Sequence, residues 1–188
     1  MFEIAKVTLF LMLVCVLSAV AMALTDSQTR PIIAEQKRKA EEAARKEVLP
    51  RAEKYEAVEG EFETVKGEKE VFRGLDASGK PVGFVGTAVG KGFGGKVFVV
   101  AGVDLQGKIT GVKVLSHTET PGLGNRAADP AERPIQSMPG QTVSSMWLAK
   151  DRPGQGKVDS ITGVTVTSRA VTAAVREILE MVKKAGGK

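Results

Sequence analysis

A chain of 188 residues that is 43% hydrophobic but only 5% aromatic suits one globular domain with a modest aliphatic core, plus one attached segment. Its net charge of +5 is interleaved with 22 acidic residues, the pattern of a solvated surface and not of a nucleic-acid footprint. A single cysteine and a single histidine exclude a disulfide framework, a zinc site or an iron–sulfur cluster built from this chain alone, and no G-x-S-x-G elbow accompanies His117 for hydrolysis.

From Val7 to Leu24 the sequence reads VTLFLMLVCVLSAVAMAL, with no charge. These eighteen residues, as a helix, reach about 27 Å, close to a hydrocarbon core of about 30 Å. Residues 1–25 are therefore read as a retained single-pass anchor in the lipid bilayer. The competing reading is a signal peptide cleaved near Ala21-Met22-Ala23; it is weaker because signal h-regions are usually shorter and only Lys6 precedes this one. Arg30, Lys37, Arg38 and Lys39 follow the span, so charge counting alone would leave the next domain in the cytoplasm.

Residues 26–50 read as a stalk helix. Strong helix formers run from Pro31, at a first-turn position, to Val48, and stop before Pro50. Ile33, Ala40 and Ala44 give this helix only a thin apolar stripe.

From Glu61 to Leu115 the pattern changes to short β-branched runs. Strands are expected at Glu70–Gly74, Val82–Val89, Lys96–Val103 and Ile109–Leu115, separated by turns at Asp76-Ala77-Ser78-Gly79, Gly90 to Gly95 and Gln106-Gly107. That is an antiparallel meander. Asn125 to Gly156 is punctuated by Pro and Gly, with a helical stretch expected near Gln141–Ala149 around Trp147. The last helix is the clearest element: Val171, Ala174, Val175, Ile178, Leu179 and Val182 follow helical spacing, with Thr167 or Ser168 as cap and Lys183 and Lys184 at the carboxyl end. The fold class is α+β: one amino-terminal transmembrane helix, then a single domain (51–188) with a mainly antiparallel sheet and packed helices.

Two segments imitate nucleotide motifs. Gly90-Lys91-Gly92-Phe93-Gly94-Gly95 satisfies G-x-G-x-x-G, but KVFVVAGV follows it, a strand where a dinucleotide fingerprint needs a helix. Gly74 to Pro81 approaches a P-loop, but Pro81 stands where a hydroxyl should reach magnesium. Both read as turns.

Two others carry chemistry. Asp159-Ser160-Ile161-Thr162-Gly163-Val164-Thr165-Val166-Thr167-Ser168 stands immediately before the last helix. Hydroxyls and a glycine at a helix amino terminus suit a phosphate, because free amides point outward and the helix dipole favours an anion. A Thr/Ser-rich helix cap explains the same residues, and physics alone leaves both open. The second, His117-Thr118-Glu119-Thr120-Pro121-Gly122-Leu123-Gly124, offers polar contacts from Glu119 and Thr120 on a tight loop fixed by Pro121, Gly122 and Gly124; an ordinary Pro-Gly turn is the plainer reading.

The first motif resembles D-x-x-T/S-G-A-T, the flavinylation motif of the FMN-binding domain in the G subunit of Rnf electron-transport complexes, and a related one in the C subunit of sodium-pumping NADH:quinone reductases. Asp159, Thr162 and Gly163 match, and Thr165 falls on the threonine that forms a phosphoester with FMN; Val164 departs from the usual alanine without removing any chemistry. The run Thr167-Ser168-Arg169-Ala170-Val171 continues the likeness. The block Glu119 to Gly124 is similar, letter for letter, to a family loop near the flavin, and Gly92-Phe93-Gly94-Gly95 resembles a family block at the same relative position. Chain length favours the Rnf protein.

The resemblance implies covalent FMN on Thr165, placed by a separate flavin transferase from FAD. Asp159, Thr162, Gly163, Val164, Thr167 and Ser168 would surround the attachment point, and Glu119, Thr120, Gly122, Leu123 and Gly124 the ring. No independent catalytic site and no metal site are expected. The role implied is electron relay in a membrane-bound ion-translocating ferredoxin:NAD oxidoreductase, partnered by the other subunits of an Rnf-type complex. The domain would lie on the extracytoplasmic side of the cytoplasmic (inner) membrane. Two alternatives stand beside it: a relative of the C subunit in a sodium-pumping quinone reductase, and a non-redox extracytoplasmic binding domain. Trp147 belongs either near the flavin or, as is commoner, in a core or interface.

Overall fold

A computed structural model describes residues 2–58 and 69–186; the expected onset of strand pattern at Glu61 lies outside the described residues. The chain forms two compact units, residues 1–41 and 42–188.

The first unit is helical, part of α1 (Phe2–Val48), with every side chain from 2 to 40 exposed. The apolar stretch around Val7–Leu24 is long and apolar enough to cross a membrane. The sequence places Pro31 in the first turn of a stalk helix that continues the span, and in α1 that proline lies inside one uninterrupted helix. An interior proline breaks one helical bond and displaces the carbonyl four residues back. Here that carbonyl belongs to exposed Ser27, where water can satisfy it, so the helix formers on both sides carry through.

The second unit is built on a five-stranded antiparallel meander in the order β1 (Lys54–Ala57), β2 (Glu70–Leu75), β3 (Pro81–Lys91), β4 (Lys96–Asp104), β5 (Ile109–His117). The expected strands and turns are all present. β1 is additional: Lys-Tyr-Glu-Ala is only four residues long and only Tyr55 is even partly buried, so its pairing with β2, Lys54 opposite Leu75, is what makes it a strand. β3 is buried on both sides along most of its length, because each sheet face is covered.

One face is covered by the end of α1 and the turn after it, where Ala44, Val48, Leu49 and Ala52 pack on Val85 and Val100. The Thr110 hydroxyl donates to the Val48 carbonyl at 2.5 Å, and Arg45 lies 3.7 Å over the Phe72 ring. The other face receives α3 (Thr165–Ala185), whose six expected apolar positions are all buried. Helix and sheet approach closely because β3 has no side chain where they cross. A Cβ on Gly90 would stand 2.2 Å from the Ala170 carbonyl oxygen, and one on Gly86 would stand 2.4 Å from Ile178. Truncating the fully buried Ile178 to alanine would cost roughly 2–5 kcal/mol.

Between β5 and α3 the chain makes a 3-10 turn (Gly124–Ala128), the one-turn helix α2 (Arg133–Gln136) and a series of turns. The helix expected at Gln141–Ala149 does not form. The segment folds as turns, and Leu148 makes an isolated bridge to Val158. Its side chains explain this: the Ser145 hydroxyl accepts the Thr142 amide at 3.1 Å, a local bond that competes with helix.

Candidate functional site

Three segments that the sequence singles out converge where β3 turns into β4, where β5 ends and where α3 begins. Glu119 joins them. Its side chain is buried, Oε1 accepts the Gly94 amide at 3.0 Å, and Oε2 accepts the Thr167 hydroxyl at 2.8 Å. The carboxylate occupies space that side chains would take elsewhere: a Cβ on Gly92 would lie 2.1 Å from Oε1, and one on Gly124 would lie 2.3 Å from Oε2. The Thr118 hydroxyl adds a bond to the Gly94 carbonyl at 2.9 Å. Hairpin, loop and helix are therefore held by one acidic side chain.

Gly163 sets the entry to α3. Its φ of +83 is in the left-handed region that side chains resist, and it turns the chain so that Val164 packs with Ile161 and Ala127 in a small separate core. The helix then begins at Thr165, earlier than a Thr167 or Ser168 cap requires. The N-cap is Val164, which makes no side-chain cap hydrogen bond. Thr167 does not cap because its hydroxyl is committed to Glu119, and the buried Ser168 hydroxyl bonds back to the Val164 carbonyl at 2.9 Å. The Ser168 amide is the first to reach back into the turn, to Val164 at 3.0 Å. The amides of residues 165–167 thus precede any helical carbonyl they could use, which favours an anion here.

Thr165 is half-buried at the mouth of a cavity of about 240 Å³. Glu119, Thr120, Leu123 and Gly124 from the loop, Phe93 from the hairpin, and Gly163 to Thr167 line it. Phe93, Leu123 and Val166 are exposed at 79%, 53% and 48%, so the cavity has an apolar rim open to solvent. Gly122 is exposed with φ +76. Asp159 and Thr162 are exposed and do not line the cavity; the Asp159 amide donates to the Ser137 hydroxyl at 3.0 Å.

Sequence reasoning missed Lys150. Its Nζ donates to the Thr165 hydroxyl oxygen at 2.9 Å, although the residue stands in a turn with no motif around it. The neighbouring Asp151 fixes that turn to α3, accepting Arg169 Nε at 2.7 Å and Nη2 at 2.6 Å. This bidentate hydrogen bond, together with the guanidinium charge, holds the Asp151 carboxyl below its ordinary value. Trp147 is not at the cavity. Arg152 and Arg176 cover its two sides at 3.7 and 3.8 Å from the ring centre.

An exposed apolar rim, a hydroxyl at a helix amino terminus and a cation beside it suit a flat, phosphate-bearing ligand. The cavity is smaller than the roughly 300–1,000 Å³ of pockets that engulf such molecules, so a three-ring system would lean on its rim and stay partly exposed.

Comparison with known proteins agrees. Residues 92–180 match the model of the FMN-binding domain, and residues 2–48 match that of the RnfG N-terminal region. The chain is 31% identical to the G subunit of the Na(+)-translocating ferredoxin:NAD(+) oxidoreductase complex of Acetobacterium woodii, over 94% of this chain and 90% of that one. It is 27% identical to the G subunit of the proton-translocating ferredoxin:NAD(+) oxidoreductase complex of Clostridium ljungdahlii, over 99% and 96%. It is 31% identical to the G subunit of the ion-translocating oxidoreductase complex of Methanosarcina acetivorans, over 98% and 97%. Among solved structures, the C subunit of the Na(+)-translocating NADH-quinone reductase of Parabacteroides distasonis shares the fold, with a TM-score of 0.51 and 24% identity over 64% of this chain and 63% of that one.

Proposed function

This chain belongs to the family of G subunits of ion-translocating Rnf-type oxidoreductase complexes, and we propose that it carries its FMN as a phosphoester on Thr165. It is an FMN-binding electron-relay component of a membrane-bound, ion-translocating ferredoxin:NAD oxidoreductase, working with the other subunits of that complex. The flavin supplies the redox chemistry, and the chain supplies attachment, position and electrostatics.

The observation that carries the proposal is the placement of the Thr165 hydroxyl: at the first residue of α3, half-buried, and opening on the apolar cavity. Thr165 would hold the phosphoryl group by its oxygen, with the amides of residues 165–167 directed toward the same charge. Phe93, Leu123 and Val166 would support the ring, and Glu119 would keep the three supporting segments together. A permanent ester retains the cofactor whatever its affinity, so a shallow cavity suffices and the ring edge stays accessible to partner proteins.

Attachment is assigned to a separate flavin transferase with FAD as donor. The Thr165 oxygen forms a bond to the FMN-side phosphorus, the pyrophosphate P–O bond breaks, AMP leaves with the bonding pair, and the hydroxyl proton passes to water. The apolar stretch Val7–Leu24 is assigned to the bilayer and the FMN domain to its extracytoplasmic side. The test is co-expression of the full chain with the transferase. Flavin fluorescence that survives denaturing electrophoresis and disappears in Thr165→Ala supports the ester; an intact mass without an FMN adduct refutes it.

A further inference from the structure

We propose that Lys150 is the cationic partner of the phosphoryl group on Thr165, both while the ester forms and afterwards, when it restrains the attached flavin. The inference rests on the ester reading above and adds a residue that no motif contains. Its ground is the 2.9 Å bond from Lys150 Nζ to the acceptor oxygen itself. A lysine nitrogen carries three N–H donors and one positive charge. With one donor on Oγ1, two more remain on the same nitrogen for the oxygens of a phosphorus attached there. The diester keeps one negative charge, and this is the cation the structure places on its bridging atom.

The placement is held by a second contact. Asp151 grips Arg169 with two hydrogen bonds of 2.7 and 2.6 Å. Arg169 lies four residues beyond Thr165 on α3, one turn along the same face. The Ala149 amide bonds to the Val158 carbonyl at 2.9 Å, and the Asp151 amide to the Leu148 carbonyl at 3.0 Å. The turn is thus tied on both sides of Lys150, which fixes its backbone within reach of the acceptor although the side chain itself is exposed. In this position the ammonium offsets the charge that develops as the oxygen–phosphorus bond forms, and it later shortens the arc through which the ring swings.

The test uses the full chain, purified flavin transferase, FAD and a divalent cation, with intact mass followed over time. Lys150→Gln should load FMN about tenfold more slowly than wild type, the effect of losing one charge-assisted hydrogen bond, while Lys150→Arg stays near the wild-type rate. Lys157→Gln, which removes another exposed lysine of the same region, should load like wild type. Once loaded, Lys150→Gln should show lower flavin fluorescence anisotropy than wild type. Equal loading rates and equal anisotropy overturn the proposal, as does equal slowing by Lys157→Gln. Slow loading with unchanged anisotropy would mean that Lys150 serves transferase docking, which also overturns it. Failure of the ester reading looks different: wild type itself would take up no FMN.

Discussion

The Glu119 carboxylate accepts a hydrogen bond from the Thr167 hydroxyl at 2.8 Å across 48 residues of sequence. This bond connects the loop after β5 to the first turn of α3, and the other carboxylate oxygen ties both to the hairpin at Gly94. An acidic side chain so buried must have its oxygens satisfied, and both are.

Removing that carboxylate should therefore be felt in the fold before it is felt in the flavin. Glu119→Ala leaves the Gly94 amide and the Thr167 hydroxyl without their acceptor, and a loss of roughly 2–4 kcal/mol is expected in urea unfolding. Glu119→Gln should lose less, because the Thr167 hydroxyl can rotate to accept from the new amide while the remaining oxygen serves Gly94.

Gly90→Ala should separate helix from sheet. The added methyl would meet the Ala170 carbonyl at 2.2 Å, and backbone on both sides cannot yield as a side chain would. Destabilisation of at least about 1–3 kcal/mol is expected. A lowered thermal midpoint with preserved far-ultraviolet circular dichroism below it would confirm it.

Phe93→Ala should do the opposite. With 79% of Phe93 exposed, stability should change by no more than about 0.5 kcal/mol. The loaded flavin should be quenched more readily by iodide, because the rim that shelters the ring is gone.

Acid should loosen the Lys150 turn. The bidentate bond from Arg169 keeps the folded Asp151 carboxyl below its ordinary value. The contribution is present in full above the ordinary carboxylate range and is lost as pH falls through the lowered folded value. Asp151→Asn should flatten that part of the acid limb when the thermal midpoint is followed against pH.

The meander was readable because β2 to β5 are short runs separated by an Asp-x-x-Gly turn, a glycine-rich hairpin and a Gln-Gly turn, and local pattern suffices for neighbouring strands. β1 was not, because Lys54 to Ala57 becomes a strand through β2 alone. Pro31 misled, since a proline that suits a first turn also sits inside a long helix when good helix formers flank it and the freed Ser27 carbonyl faces water. The segment from Asp159 to Ser168 and the loop from Glu119 were each legible as residues close together in sequence. What held them together was not: whether Thr167 caps its helix or bonds Glu119 depends on a partner 48 residues away. Lys150 reaches Thr165 across fifteen residues, beside the Asp151–Arg169 pair, joining two segments that no spacing rule connects.

Each strand of the meander pairs with its sequence neighbour, so the sheet needs only short loop closures, which are fast. The helix bearing Thr165 is the last described element, and it docks across β3 and β4. During synthesis the sheet emerges with one apolar face bare until that helix arrives. Thr165 therefore reaches its final setting only after all five strands have been made, so the cavity it borders closes last and rests on a sheet already formed.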